Sequence, residues 1–389
     1  MSGARNSPTC GVCGCKLVKN GTTSAGRIRW RCTTCGASTT QARPDITAKA
    51  QLNAFLSWLL DTARPEQLAS SPRTFRRDTA WCWRIEIPPP PPPATAPEVV
   101  ILDGTYFQSW CLLIATDGAH VLDWQWCDRE KKIAWQQILQ RLPAPRMAVV
   151  DGGAGLHSAL TAQWPATRIQ RCYFHIFQVV RRHHTLRPRL EAGREILSLT
   201  KALMRVTDID HAVTWLGEYA AWEARWDHFL RHRSYPRAHV PRPAGIPESQ
   251  NWWYTHRELR KTRGLFRNLI RNQHLFTWID PAMTNPGHPL ARTTSSLEGG
   301  PNRALKDLFR AHRGLPVDHA RRAAEWKLNS LTATPRDPWT LVRPEHRNPP
   351  RHRTAQQLDD EPLGPVMGTS FSWDDGNGIQ HGWAGRSRP

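Results

Sequence analysis

The chain has 389 residues, with 53 Lys and Arg against 33 Asp and Glu, a formal net charge of +20. That length allows two or three domains with a sizeable core, and the charge favours a polyanionic partner. No apolar run approaches the length of a membrane span and the opening MSGARNSPTC has no apolar signal-peptide region, so a soluble, intracellular protein without membrane contact is expected.

The charge is unevenly spread. Residues 1–97 carry +8, residues 98–180 are neutral, residues 181–293 carry +9 and the final 96 residues carry +3. A neutral block between two basic ones suits a reaction centre that holds its own carboxylates while its neighbours grip phosphates.

Residues 8–40 contain two C-x-x-C-G knuckles, CGVCG with Cys10 and Cys13, and CTTCG with Cys32 and Cys35. In an intracellular protein such paired cysteines read as metal ligands before disulfides. Four thiolates complete a closed tetrahedral site for one structural Zn²⁺, a zinc ribbon. The intervening KLVKNGTTSAGRIRWRC reads as a short hairpin with Lys16, Lys19, Arg27, Arg29 and Arg31 on it. Cys15 is an extra thiol that could compete with Cys13, and free cysteines would not explain the paired spacing.

Residues 45–86 read as helices. ITAKAQLNAFLSWLLDTA places Leu52, Phe55, Leu56, Leu59 and Leu60 at helical spacing, a short helix is predicted from Pro65 (PEQLAS), and a third opens with Ser71 as N-cap and Pro72 as first residue. Three helices with tight connections predict a helix-turn-helix in which Arg73, Arg76 and Arg77 face DNA while Phe75 and Trp81 pack inward. The competing structural reading is a small bundle with a solvated basic face. IPPPPPPATAP, residues 87–97, favours polyproline II and reads as a linker at a domain boundary.

Three Asp-Gly pairs follow, and each starts as a turn candidate. Strand-like alternation continues after Asp117, so Asp117 reads as a hairpin turn. A helix pattern follows Asp151, with Leu156, Leu160 and Trp164 at i, i+4 and i+8, then the strand-like TRIQRCYF. Asp151 therefore reads as the end of a buried strand that crosses over through a helix, where ligands of α/β folds bind. Asp103 lies inside its strand, sharing a face with Val99, Ile101, Thr105 and Phe107. A carboxylate there is costly unless paired, protonated or metal-bound. Residues 98–180 thus predict three antiparallel strands, a helix, the strand ending at Asp151 and another helix. This is the order of an RNase H-like α/β domain, in which the first and fourth strands lie side by side and Asp103 and Asp151 face one cleft.

Residues 181–290 read as mostly helical and rich in tryptophan (Trp215, Trp222, Trp226, Trp252, Trp253, Trp278), the place of the long helical insertion that the family resemblance described below implies. These would hold DNA or build a dimer interface, although core packing accounts for most of them and one could instead stack on an unpaired base. Residues 291–335 return to the core. TTSSLEGGPNRALKDLFR offers Glu298 as the third carboxylate that a two-metal site needs; its bland reading is a capping box from Ser295. Pro301 inside a helix begun at Ser295 would cost a backbone hydrogen bond, so Gly300 is read as N-cap, with Glu298 just upstream on an irregular turn. Asn302, Lys306 and Arg310 then follow at i+4 steps as one polar, basic DNA-facing stripe. Residues 338–389 are rich in Pro, Arg, Asp and Gly and read as a disordered tail.

The order of zinc ribbon, helix-turn-helix, ILDGTYF, AVVDGG, CYFH and TTSSLEGGPNRALK resembles bacterial insertion-sequence transposases of the Mutator-like DDE superfamily over about residues 8–330. The resemblance implies that Asp103, Asp151 and Glu298 are catalytic and hold two Mg²⁺ (or Mn²⁺). It marks Cys172 and His175 as the family's Cys-x-x-His motif, with a supporting role. It also implies binding to double-stranded DNA (terminal inverted repeats and target), metal-dependent cleavage and strand transfer without a covalent intermediate, a homodimer or larger synaptic assembly, and a cytoplasmic, nucleoid-associated bacterial setting. Two rival readings remain: a non-catalytic zinc-ribbon DNA-binding regulator, and another RNase H-fold nuclease such as a junction resolvase.

Overall fold

A computed structural model describes residues 8–10, 12–24, 26–40, 44–61, 71–107, 110–237, 242–283 and 290–347. Strands β1 (Leu17–Thr22), β2 (Ile28–Cys32) and β3 (Ser38–Thr39) form a small antiparallel sheet in that order. Its apolar core is little more than Cys10, Leu17 and Cys32 with Trp30 against them. So small a core needs a further tie, and small domains commonly use a metal for it.

Helix α1 (Pro44–Leu60) buries Leu52, Phe55 and Leu59. Helix α2 (Pro72–Thr79) starts as its sequence predicts, with the Ser71 hydroxyl accepting from Thr74 N at 3.2 Å and Pro72 in the first turn. Phe75 and Trp81 are buried, while Arg73, Arg76 and Arg77 are exposed. Phe75 meets Trp58 of α1 edge-on, with ring centroids 5.6 Å apart. The short helix predicted from Pro65 lies outside the described residues.

The central sheet has the order β6-β5-β4-β7-β8. Strands β4 (Val99–Phe107), β5 (Trp110–Thr116) and β6 (Val121–Cys127) run antiparallel. Helix α3 (Lys132–Arg141) then crosses over to β7 (Met147–Val150), which lies parallel beside β4, and α4 (Ala154–Gln163) leads to β8 (Arg168–Arg171) on the far side. The predicted neighbourhood of first and fourth strands is therefore present. Alternation puts Val100, Leu102, Leu113, Ala148 and Val150 on the face covered by Trp135, Ile138 and Leu156 of α3 and α4. Ile101, Ile114, Met147 and Val149 point the other way, into a larger cluster. Asp117 sits in the β5–β6 turn as predicted, its Oδ1 accepting from Ala119 N and His120 N at 2.8 and 2.7 Å.

That larger cluster also contains Leu52, Phe55, Leu59, Trp81, Ile85 and Ile87. The segment around the prolines thus joins parts of one core. Ile87 is buried, and Arg336 donates to the Pro89 carbonyl at 3.0 Å, a group that polyproline II leaves free.

Helices α5 (Tyr173–His184), α6 (Glu191–Leu203), α7 (Ile209–Leu230) and α8 (Arg257–Arg271) form the helical layer, with a two-residue pairing of β9 (Arg233–Ser234) and β10 (Trp253–Tyr254). Its tryptophans are mainly core. Trp215, Trp222, Trp253 and Trp278 are buried, and the indoles of Trp215 and Trp222 donate to the carbonyls of Leu199 and Ala192 at 2.8 and 3.1 Å.

The last part of the core comprises α9 (Ser295–Leu297), a π-helical turn (Glu298–Asn302), α10 (Arg303–Ala311) and α11 (Val317–Ser330). Order extends past Pro338, contrary to the predicted disorder there: Pro338–Leu341 form a 3₁₀ turn, and Trp339, Leu341 and Val342 pack on the large cluster. Buried apolar side chains supply the anchorage that composition alone did not reveal. The chain from Arg343 forms a separate unit, whose described part is the short helix α12 (Pro344–Arg347). The remaining tail residues, 348–389, lie outside the described residues.

Candidate active site

Parallel pairing of β4 with β7 matches Leu102 to Val150. The next residue on each strand is Asp103 and Asp151, so both carboxylates leave the sheet together, on the side of Ile101 and Val149. Asp103 is only 7 % exposed. Its carboxyl is pushed up to about 7: burial raises it most, the positive charge of His175 lowers it, and the carboxylates of Asp151, Glu298 and Glu130 raise it again. Asp151 is half-buried, and its Oδ1 accepts from Gly153 N at 2.9 Å.

Glu298 reaches the same cleft from a different kind of backbone than its sequence predicts. Gly300 is not an N-cap. The chain is helical from Ser295 to Ala311, and Pro301 is absorbed by the π turn that Glu298 begins. A wider turn tolerates a residue without an N–H, and such π bulges favour functional sites. A Cβ on Gly299 or Gly300 would meet nothing within 4 Å, so the bulge presents bare backbone to open space. The capping box is also absent: the Glu298 carboxylate instead accepts from the Thr294 hydroxyl at 2.9 Å.

Thr294, fully buried, is the junction of this corner. Its hydroxyl lies 3.4 Å from Cys172 Sγ and 3.5 Å from His175 Nδ1, and its backbone N–H donates to the same sulfur at 3.3 Å. His175 Nε2 stands 3.9 Å from Glu298 Oε1. The hydrogen bond with Cys172 raises the His175 imidazole to about 9 against desolvation, and the charges of Cys172, Asp103 and Asp151 add to the rise. Burial raises the Cys172 thiol, but hydrogen bonds with His175 and Thr294 outweigh it and lower it overall. The Cys-x-x-His pair is thus tied to Glu298 through a threonine 119 residues along the chain from His175.

Asn302 departs from the predicted DNA-facing stripe. It is 3 % exposed, donates to Asp103 Oδ2 at 3.4 Å, and its Oδ1 is buried without a hydrogen-bond partner. The π turn shifts the helical phase, turning this amide inward while Lys306 and Arg310 stay exposed. Two further side chains at the cleft escape prediction from sequence. Glu130, in the β6–α3 loop, lies near Asp151 and Gly104. Arg171, at the end of β8, is buried with Nε and Nη1 unpartnered, and occupies the space a Cβ on Gly152 would need. The glycine after each aspartate is the one sequence signal that points to them.

The orphaned Asn302 oxygen and the converging carboxylates fit a centre that takes divalent cations. Among the described residues, however, only Cys10, Cys13, Cys32 and Cys35 bring all their ligand atoms within 4.8 Å of one another. The carboxylates stand wider apart, with the imidazole of His175 among them. In the quartet Cys10 Sγ lies 3.5 Å from Cys35 Sγ, and Cys13 Sγ 3.4 Å from Cys32 Sγ. A tetrahedral zinc with Zn–S of about 2.3 Å requires S···S near ~3.8 Å, so the quartet fits one structural Zn²⁺ with a slight expansion. Gly14 and Gly36, at φ +72° and +73°, make the knuckle turns, and Cys15 stands outside the quartet.

The class defined so far is a mixed α/β protein with a Cys₄ cluster that could hold a metal and a group of carboxylates just past the point where the parallel pairing of β4 and β7 ends. Residues 108–240 match the family of Mutator transposases (Transposase, Mutator family), which supports a Mutator-like transposase and hence a DNA-processing enzyme. The matched segment contains Asp151, Cys172 and His175; Asp103 and Glu298 flank it. No curated protein matches the chain. No helix among the described residues is long and apolar enough to cross a membrane.

Proposed function

We propose that the chain is a DDE transposase that binds the terminal inverted repeats of an insertion sequence and catalyses Mg²⁺-dependent DNA cleavage and strand transfer. The observation that carries this reading is the emergence of Asp103 and Asp151 from adjacent parallel strands, with Glu298 brought near by the helix that also carries Asn302. The sheet order, three antiparallel strands followed by two parallel ones, supports an RNase H-like core interrupted by the helical layer.

Asp103, Asp151 and Glu298 would hold the divalent cations, which when bound supply charge stabilisation at the phosphoryl centre and a more acidic attacking oxygen. Thr294 and His175 orient Glu298. Asn302 donates to Asp103, and its Oδ1 is left without a partner. Exposed Lys306 and Arg310, and Arg73, Arg76 and Arg77 on α2, lie where the phosphate backbone could be neutralised. No Ser, Tyr or Cys nucleophile is required. The zinc ribbon and the α1–α2 region would recognise the element ends, and a dimer or larger assembly would pair two ends in the bacterial nucleoid.

The test is Asp103→Asn assayed on DNA carrying the element's ends. The expected outcome is loss of cleavage by at least about 10³-fold, because the transition-state charge loses a ligand to its metal, with end binding retained. Unchanged activity would favour a regulator in which the carboxylates do nothing. Cleavage of branched DNA with none at repeat ends would favour a resolvase.

A further inference from the structure

Arg171 ends β8 with a positive charge that no neighbour holds. It is 9 % exposed, and its Nε and Nη1 are buried without a hydrogen-bond partner. Among the described residues it makes no ion pair within 4.0 Å; the negative charges of Asp151 and Cys172 act on it from farther away. Burying a cation in this way is unfavourable unless a counter-charge and hydrogen bonds arrive. Strand alternation decides where the side chain points. Arg171 is matched to Val150 of β7 and shares a face with Ile169. Val150 and Ile169 pack on the side of α3 and α4, so the guanidinium lies on that side, while Asp151 leaves on the other.

There it meets the start of α4. A Cβ on Gly152 would lie 1.0 Å from Arg171 Nη1, 1.6 Å from its Cζ and 2.3 Å from Nη2. The next residue, Gly153, is the N-cap of α4 and has no side chain with which to cap it. Gly152 and Ala154 are exposed. Asp151 Oδ1 takes the N–H of Gly153, but those of Ala154, Gly155 and Leu156 make no hydrogen bond among the described residues. Free donors at the positive end of a helix attract anions. The orphaned guanidinium beside them adds a second donor set, of the planar kind that suits phosphate. Further cations lie around it. The His274 imidazole is held down to about 4, first by burial and then by the charges of His157, Arg171 and Arg168. His157 is exposed in the first turn of α4, with its ring 5.7 Å from that of His274. Across the turn, Glu130 Oε2 is 4.0 Å from the point that a Cβ on Gly153 would occupy, and it accepts none of these N–H groups.

We propose that Arg171 and the free N–H groups at the start of α4 form a phosphate site, which holds a backbone phosphate of the DNA strand beside the one that reacts at the carboxylates. The identity of the ligand as DNA rests on the transposase reading; the anion site itself rests on Arg171 and α4. Asp151 and Arg171 belong to neighbouring strands about 4.8 Å apart, near enough for adjacent phosphates of one strand to occupy both places. Such a contact carries no sequence information but fixes the register of the strand at the point of cleavage.

The test uses inorganic phosphate as probe on the zinc-loaded full chain, comparing the thermal midpoint in phosphate and in chloride at equal ionic strength. Binding of a duplex carrying the element's ends is followed by fluorescence anisotropy across a salt series. Arg171→Met and Arg171→Gln both remove the charge. In chloride they are expected to melt at or above the parent, because a buried unpaired cation is gone. They should lose the specific rise in midpoint that phosphate gives the parent, and the slope of log affinity against log salt should fall by about 0.9, the share of one phosphate contact. Arg225→Gln, at an exposed arginine paired with Glu191 and Glu195, is the control and should keep the parent's phosphate rise and salt slope. A parental phosphate rise in both Arg171 variants would overturn the site. So would midpoints in chloride well below the parent's in both, which would make Arg171 a structural counter-charge to Asp151. Loss of the phosphate rise with an unchanged salt slope would keep the anion site and overturn its assignment to DNA. If Asp103→Asn cleaves as the parent does, the transposase reading falls, and the phosphate rise still decides the anion site.

Discussion

Replacing Thr294 by Val tests how the Cys-x-x-His corner acts on Glu298. Valine matches threonine in volume and is buried as completely, so no cavity forms and the backbone N–H to Cys172 remains. What is lost is the hydroxyl that donates to the Glu298 carboxylate at 2.9 Å and touches Cys172 and His175. A hydrogen bond to a charged group contributes about 1.5–3 kcal/mol, or roughly 10- to 150-fold in rate if all of it positions Glu298 in the transition state. The Glu298 side chain is 33 % exposed, so water can replace part of the bond and the lower end, about tenfold, is expected. The assay is single-turnover cleavage of end-bearing DNA at saturating protein, with DNA affinity followed separately by fluorescence anisotropy. Thr294→Val should slow cleavage and leave DNA affinity unchanged, while Thr294→Ser, which keeps the hydroxyl, should recover most of the rate. Full-rate cleavage by Thr294→Val, or a serine variant as slow as the valine one, would refute the positioning argument.

Two further predictions concern stability. The purified chain should carry one zinc per molecule by elemental analysis; Cys32→Ser should lose it and Cys15→Ser should keep it, because Cys32 lies in the quartet and Cys15 does not. His184, hydrogen-bonded to the Thr262 hydroxyl at 2.8 Å, is held down to about 4, first by burial and then by the charge of His183. Its folded pKa lies below the unfolded value of about 6.5, so the folded state resists protonation. Its contribution is complete above about pH 6.5 and fades as pH falls towards 4. The urea midpoint of His184→Gln should therefore fall less than that of the parent between pH 7 and pH 5; equal losses would exclude His184 from the acid response.

Features that depend on residues close together along the chain are legible in the sequence. The Cys₄ spacing specifies its own turn geometry, the Ser71-Pro72 helix start is set within one turn, and the change from strand to helix period after Asp151 separates it from the hairpin turn at Asp117. The adjacency of β4 and β7 is compatible with the chain order, because a parallel neighbour requires a crossover and α3 supplies one, but the pairing itself is seen only in the sheet. Expectations that fail depend on contacts made across the fold. Asn302 falls in a polar i+4 stripe by spacing, but the π turn at Pro301 rotates it onto Asp103. The polyproline segment has the composition of a spacer, but Ile87 and Arg336 tie its ends to the common core.

The sequence by itself therefore determined most elements and their order, and singled out the strand-borne Asp103 and Asp151 as candidates, because hydrophobic period, turn chemistry and ligand spacing act over a few residues. Only the tertiary structure decided which charges share the cleft. Glu130 lies in the turn after β6 and Arg171 at the end of β8, and nothing within their own segments marks them. Their positions arise where Gly104 and Gly152 leave space for side chains from other segments, a steric fact visible only after packing.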